Sequence, residues 1–194
     1  MRVVLGVSGA SGAVLALDCA RALTRAGAEI DLVVSAMAER TLAEEAGPGA
    51  LRDLQALATR VHAQRDLGAG IASGFCPVAG MIVAPCSMRS LAAIAHGFDD
   101  GLLTRAASVQ LKERRPLVLL AREAPLTLAH LENMQAATRM GAVILPPVPA
   151  FYLRPQSLAE ATAQIAARAV DLLRLGPPLA RAWTPAQTDG ERHD

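Results

Sequence analysis

Five short apolar runs, each followed by a stretch of helical composition, constrain this chain more than any other feature. Residues 3–7, 30–34, 81–84, 117–121 and 142–145 are brief and apolar, as strands buried on both faces are. Between and after them, residues 13–26, 37–46, 51–58, 90–96, 102–114, 128–140 and about 158–175 have helical composition. Gly27 stands where a helix C-terminal glycine is expected. Residues 60–78, with Gly68, Gly70, Gly74 and Pro77, read as loops. Strands alternating with helices predict an α/β protein: a three-layer, Rossmann-like or flavodoxin-like parallel sheet with helices on both faces.

The 194 residues suit one domain with one substantial core. Residues 1–175 are expected to form it. Residues 176–194, rich in proline and polar groups, read as a loosely held tail that carries Trp183, the one tryptophan. Nineteen basic residues against eighteen acidic ones give a formal charge of +1. That balance supplies no bulk field for nucleic acid or an anionic membrane, so any anion site must be local. No apolar run approaches the ~20 residues that cross a bilayer, and no membrane insertion is expected. Cys19, Cys76 and Cys86 are odd in number and widely spaced, which argues against a disulfide framework or zinc site. With a first strand beginning at once and no leader pattern, the expectation is a cytoplasmic protein. Hydrophobic residues make up 52% of the chain, an apolar fraction that also fits burial between subunits.

Ligands of such sheets bind at the carboxyl ends of the strands. Five distinctive segments follow those ends: GASG, Ser35, PCSMRS, REAP and PPVPAFY. In GVSGASG, residues 6–12, a glycine-rich strand-to-helix turn exposes backbone N–H groups to an anion. Ser8 stands where GxGxxG needs glycine, and no GK[ST] follows. The second strand ends at Ser35 rather than at an acid that grips a ribose, which favours a mononucleotide over a dinucleotide. The turn is equally compatible with packing alone. Ser87 and Ser90 in PCSMRS suit helix N-capping, and the N–H groups there suit a phosphate or a flavin edge. Cys86 reads as a small buried apolar residue. Arg105, Lys112 and Arg115 recur at near-helical spacing, and Arg114 and Arg115 read as a solvated face. Arg122 directly follows a strand and suits a bidentate phosphate contact; Glu123 beside it suits proton transfer. Tyr152 lies in a proline-stiffened loop, where phosphate binding and simple packing are both open. HExxH, GxSxG and DxxD-like pairs are absent, so a phosphorylated substrate would be held by Arg, Lys and Tyr without metal.

Taken together, GVSGASGA, GMIVAPCSM, GLLTRAA, LKERRPLVL, REAPL, HLENM, GAVILPPVPAFY and ARAW, in this order, resemble the UbiX flavin prenyltransferase family over nearly the whole chain. The resemblance implies a homo-oligomer, often a dodecamer. It implies alkylation of reduced FMN by dimethylallyl monophosphate with closure of a fourth ring, and a UbiD-type decarboxylase as recipient of the prenylated FMN. By the same resemblance, Gly9, Ala10, Ser11, Ser35, Ser87, Met88, Arg89, Ser90 and Arg122 contact the flavin. Lys112, Arg122, Tyr152 and Arg168 hold the substrate phosphate, Lys112 from a neighbouring position or subunit. Glu45, Glu123 and Ser11 are the acid–base candidates, and Arg105 and Trp183 complete the site. Ala36, Leu153, Arg154 and Ser108 depart from the usual family pattern, leaving the monophosphate or pyrophosphate form of the substrate open. Two other readings are a cysteinyl-peptide decarboxylase, against which PCSMRS argues, and a flavin carrier or accessory subunit of an aromatic-acid decarboxylase, which would not need the Arg122, Tyr152 and Arg168 set.

Overall fold

The computed structural model describes residues 1–184. Its central strands are buried on both faces, as their apolar sequences require. β1 (Arg2–Val7), β2 (Glu29–Val34), β4 (Met81–Cys86) and β5 (Leu117–Ala121) are buried nearly throughout. Two short edge strands, β3 (Arg60–His62) and β6 (Val143–Ile144), complete a six-stranded parallel sheet in the order β3-β2-β1-β4-β5-β6. β3 corrects the reading of residues 60–78 as loop. Two of its three residues are exposed and it has no apolar run.

The helices are α1 (Val14–Arg25), α2 (Ala36–Ala46), α3 (Ala50–Leu57), α4 (Met88–His96), α5 (Leu102–Lys112), α6 (Leu128–Arg139) and α7 (Leu158–Asp171). The pleat of β1 divides the core. Val3, Leu5 and Val7 face one cluster with Leu15, Leu23, Leu42, Ile165 and Val170, whereas Val4 faces a second with Leu91, Ile94, Leu102 and Leu103. Helices α1, α2, α3 and α7 therefore cover one face, and α4, α5 and α6 the other. Each fully buried Leu in these clusters contributes about 1.5–3 kcal/mol.

α5 stops at Lys112, two residues before the end expected from composition; Arg114 just beyond adopts φ 57°. Arg115, read as solvated, instead donates to the carbonyls of Gly74 (2.7 Å) and Cys76 (2.9 Å). α7 ends at Asp171 rather than 175, and the segment after it is tied to the helix. Residues 185–194 of the expected tail lie outside the described residues.

The chain runs outward from β1 through β2 to β3, then returns to place β4 on the other side of β1. The sheet thus has its switch point between β1 and β4, where the loops leave the carboxyl ends in opposite directions and open a crevice. GASG follows β1 and PCS closes β4, so both segments border it.

Candidate active site

Ser8 joins the two sides of the crevice. It is buried; its hydroxyl donates to the Pro85 carbonyl (3.0 Å) and accepts the Ser87 N–H (2.8 Å). The serine that breaks the GxGxxG spacing is therefore a staple between the β1 and β4 loops. It was not singled out as a site residue, because its partners lie more than seventy positions away. Ala10 closes the turn by donating its N–H to the Ser8 carbonyl (2.9 Å). Gly9 faces α2 so closely that an added Cβ would sit 2.3 Å from Met37 Cβ. Gly12 has φ +99°, a backbone state that glycine adopts without strain.

Ser35 and Ser87 are helix caps. Ser35 accepts the Ala38 N–H (3.3 Å), and Ser87 accepts the Ser90 N–H (3.2 Å) while its hydroxyl donates to Ser90 Oγ (3.1 Å). Capping leaves the first N–H groups of α4, those of Met88 and Arg89, without helical partners at the crevice. Ser35, Ser87, Ser90, Gly9 and Arg89 line one hollow of about 500 Å³, joined by Gln64, which sequence alone did not single out. Arg89 is ion-paired with Asp100 at its rim.

A second cavity, of about 730 Å³, lies on the other side of the GASG turn and is lined by Ser11, Glu45, Arg122, Pro147 and Ile165 among others. Glu45 reaches back from the end of α2 to the start of α1, accepting the N–H of Gly12 (2.8 Å) and of Ala13 (2.9 Å). Its partial burial favours the neutral acid. The Ala13 N–H, the Ser11 hydroxyl, the Gly12 N–H and the positive charge of Arg122 outweigh that, and hold the carboxyl below its ordinary range. Arg122 is placed by its own N–H, which donates to the Cys86 carbonyl (3.0 Å) and so ties the end of β5 to the end of β4. Cys86 itself is fully buried, and burial pushes its thiol up to about 12. It packs as an apolar residue, not as a nucleophile.

The third cavity, about 440 Å³, shares Ile165 with the second and contains Tyr152, Arg168 and Arg181 in its wall. Tyr152 lies in a single 3₁₀ turn, Phe151–Leu153, that ends the proline-rich loop. Arg168 projects from α7. Trp183 is described and largely exposed, beside the cavity residues Arg181 and Ala182.

Three expected residues stand elsewhere. Glu123 is exposed, and its carboxylate accepts the adjacent Ala124 N–H (3.1 Å). Arg105 pairs with Asp99 (3.2 Å), which also accepts the Ser108 hydroxyl (2.6 Å). Arg105 and Lys112 line a separate hollow with Ala72, Gly74 and Phe75, and Lys112 is ion-paired with Glu113. The amino end of α5, at Leu103 and Thr104, borders the serine-rich hollow. Lys112 lies about 13 Å further along the helix and lines a different cavity from Arg122.

Comparison with known proteins agrees with this architecture. The Flavoprotein family profile matches residues 1–168. The flavin prenyltransferase UbiX of Thauera aromatica is 50% identical over 184 residues, covering 95% of this chain and 94% of the relative. A crystal structure described as AnUbiX in complex with FMN and dimethylallyl pyrophosphate superposes with a TM-score of 0.91 at 43% identity, covering 96% of this chain and 98% of that one. A dodecameric FMN-dependent UbiX-like decarboxylase from Escherichia coli gives a TM-score of 0.90 at 44% identity, covering 95% and 100%. The profile match, the identity over nearly the whole length and the close superposition together show that the chain belongs to the flavoprotein family of UbiX-type flavin prenyltransferases.

Proposed function

We propose that this chain transfers a dimethylallyl group from dimethylallyl monophosphate to reduced FMN, giving prenylated FMN. The adjacency of three cavities around one turn carries the reading. The serine-rich hollow, the Ser11–Glu45–Arg122 cavity and the Tyr152–Arg168 cavity adjoin through the GASG turn and Ile165. A carrier of flavin alone would need only the first.

The hollow suits a flavin mononucleotide. Ser35, Ser87 and Ser90 offer hydroxyls, α4 offers unpaired N–H groups, and Gly9 lets the first turn pack against Met37 of α2 at the edge of the hollow. Reduced FMN, bound there, supplies the electron-rich ring atoms that accept the allyl group. Gly9, Ala10, Ser11, Met88 and Arg89 shape its seat.

Phosphate departs from an allylic carbon only as its charge is neutralised. Arg122 at the end of β5, with Arg168 of α7 and the Tyr152 hydroxyl in the adjoining cavity, supply the donors, and no metal enters the proposal. Glu45 works in its ionised form. It fixes Ser11 and the start of α1, and orients the phosphate by holding that turn in place. Glu123, next to Arg122 in the chain, turns from the Ala124 N–H toward the Arg122 cavity when substrates bind and, with Ser11 of that cavity as relay, accepts the proton released on ring closure. A Glu123→Gln enzyme with normal turnover would remove it from that role.

Lys112 and Arg105 serve the site of a neighbouring protomer in a homo-oligomer, a dodecamer by analogy with the Escherichia coli relative. Phe75, 99% exposed beside Lys112, and Leu158, 75% exposed, support burial between copies. Sedimentation at the mass of one chain would contradict this. No helix among the described residues is long and apolar enough to cross a membrane. The proposal includes a cytoplasmic location, no nucleic-acid partner, and a UbiD-type decarboxylase that receives the product. Anaerobic incubation with reduced FMN and dimethylallyl monophosphate, followed by product mass, tests the reading.

A further inference from the structure

The segment after α7 is strapped along the helix. Asp171 accepts the N–H of Leu179 (2.7 Å) and of Ala180 (3.1 Å). Gln164 closes a two-bond clasp on one residue: its Nε2 donates to the Arg181 carbonyl (3.0 Å), and its Oε1 accepts the Arg181 N–H (3.1 Å). Gln164, Arg168 and Asp171 are spaced four and then three apart, which puts them on one face of α7. The segment runs back along that face, antiparallel to the helix, with residue 181 beside residue 164.

The strap forms one wall of the cavity that holds Tyr152 and Arg168; Pro178, Ala180, Arg181 and Ala182 line it from that side. Arg168 and Arg181 therefore border a common space of about 440 Å³. Among the described residues neither guanidinium makes an ion pair or donates a side-chain hydrogen bond. Two cationic residues without an ion-pair partner in the wall of one cavity make that space attractive to an anion. The acid in the same wall, Asp171, has both oxygens engaged by the strap's backbone, one by Leu179 and one by Ala180. The clasp fixes the backbone of one particular residue, Arg181, against α7 and so sets where its side chain starts.

We infer that Arg181 is a phosphate-binding residue of the prenyl-phosphate site, acting beside Tyr152 and Arg168, and that Gln164 and Asp171 are the positioning residues that deliver it. This rests on the prenyl-transfer reading above. A charge-assisted hydrogen bond to phosphate is worth about tenfold or more in binding.

The experiment compares wild type, Arg181→Gln, Arg181→Lys and Gln164→Ala in steady-state prenylation with reduced FMN. The KM for dimethylallyl monophosphate, inhibition by inorganic phosphate and FMN affinity are read in parallel. Arg181→Gln is expected to raise that KM about tenfold and to weaken phosphate inhibition similarly, with FMN affinity unchanged. Arg181→Lys is expected to recover part of the loss. Gln164→Ala is expected to raise the same KM and also shift the emission of Trp183, two residues along the strap; a merely structural defect would lower FMN affinity as well. Wild-type KM and phosphate inhibition in Arg181→Gln would overturn the inference while leaving prenyl transfer intact. Absence of product from the wild type would instead overturn the reading on which it rests.

Discussion

Glu45 and Gly12 meet at the end of the GASG turn, the carboxylate at the end of α2 accepting the Gly12 N–H at 2.8 Å. The start of α1, a natural anion site, is thus occupied by the protein's own acid. The folded-state pKa of Glu45 is depressed, so its contribution to stability is present above the ordinary glutamate value of 4.5 and is lost as pH falls through the lowered one. A Glu45→Gln protein should be less stable than wild type at neutral pH, and the gap should close on acidification below that value. Melting curves across pH at low salt check this; a gap that widened in acid would contradict the assignment.

Ser8→Ala should destabilise the fold by about 1–3 kcal/mol, because the Ser87 N–H loses its acceptor in a part-buried place, while the Pro85 carbonyl keeps the Ser8 backbone N–H (3.2 Å). Denaturant unfolding measures the loss. FMN binding should weaken with it, since the same bonds set the start of α4.

Gly9→Ala places a Cβ 2.3 Å from Met37 Cβ, and α2 must move to admit it. A cost of about 1–3 kcal/mol is expected from such overpacking, with reduced FMN affinity by titration. Unchanged affinity would mean that the turn does not touch the flavin.

Arg122→Gln should leave the fold near wild type, because the guanidinium makes no side-chain hydrogen bond among the described residues and the backbone tie to Cys86 is kept. Turnover should fall by about a hundredfold, the scale of losing one preorganised charge on a leaving group. Thermal denaturation alongside initial rates separates the two effects.

The central strands were legible because burial on both faces leaves an uninterrupted apolar run, as in Val3–Val7 and Leu117–Ala121. β3 was not, since Arg60–His62 is held by pairing to β2 and by His62 against buried Asp31 (2.8 Å) rather than by an apolar pattern. The rule that ligands sit at strand carboxyl ends singled out GASG, PCSMRS and Arg122 as candidates, and residues of all three line cavities at those ends. The contacts that link these segments were hidden, because Ser8 to Pro85 and Glu45 to Gly12 span long stretches of chain. Within the described residues 176–184, prolines and polar groups mark a segment without regular structure, yet Asp171 and Gln164 satisfy the backbone of Leu179, Ala180 and Arg181 from α7.

The central claim is most directly tested by the mass of the flavin product. Incubated without oxygen with reduced FMN and dimethylallyl monophosphate, the protein should yield a flavin heavier than FMN by one five-carbon prenyl unit. Recovery of unmodified FMN alone, with tight FMN binding intact, would contradict prenyl transfer and leave a flavin carrier.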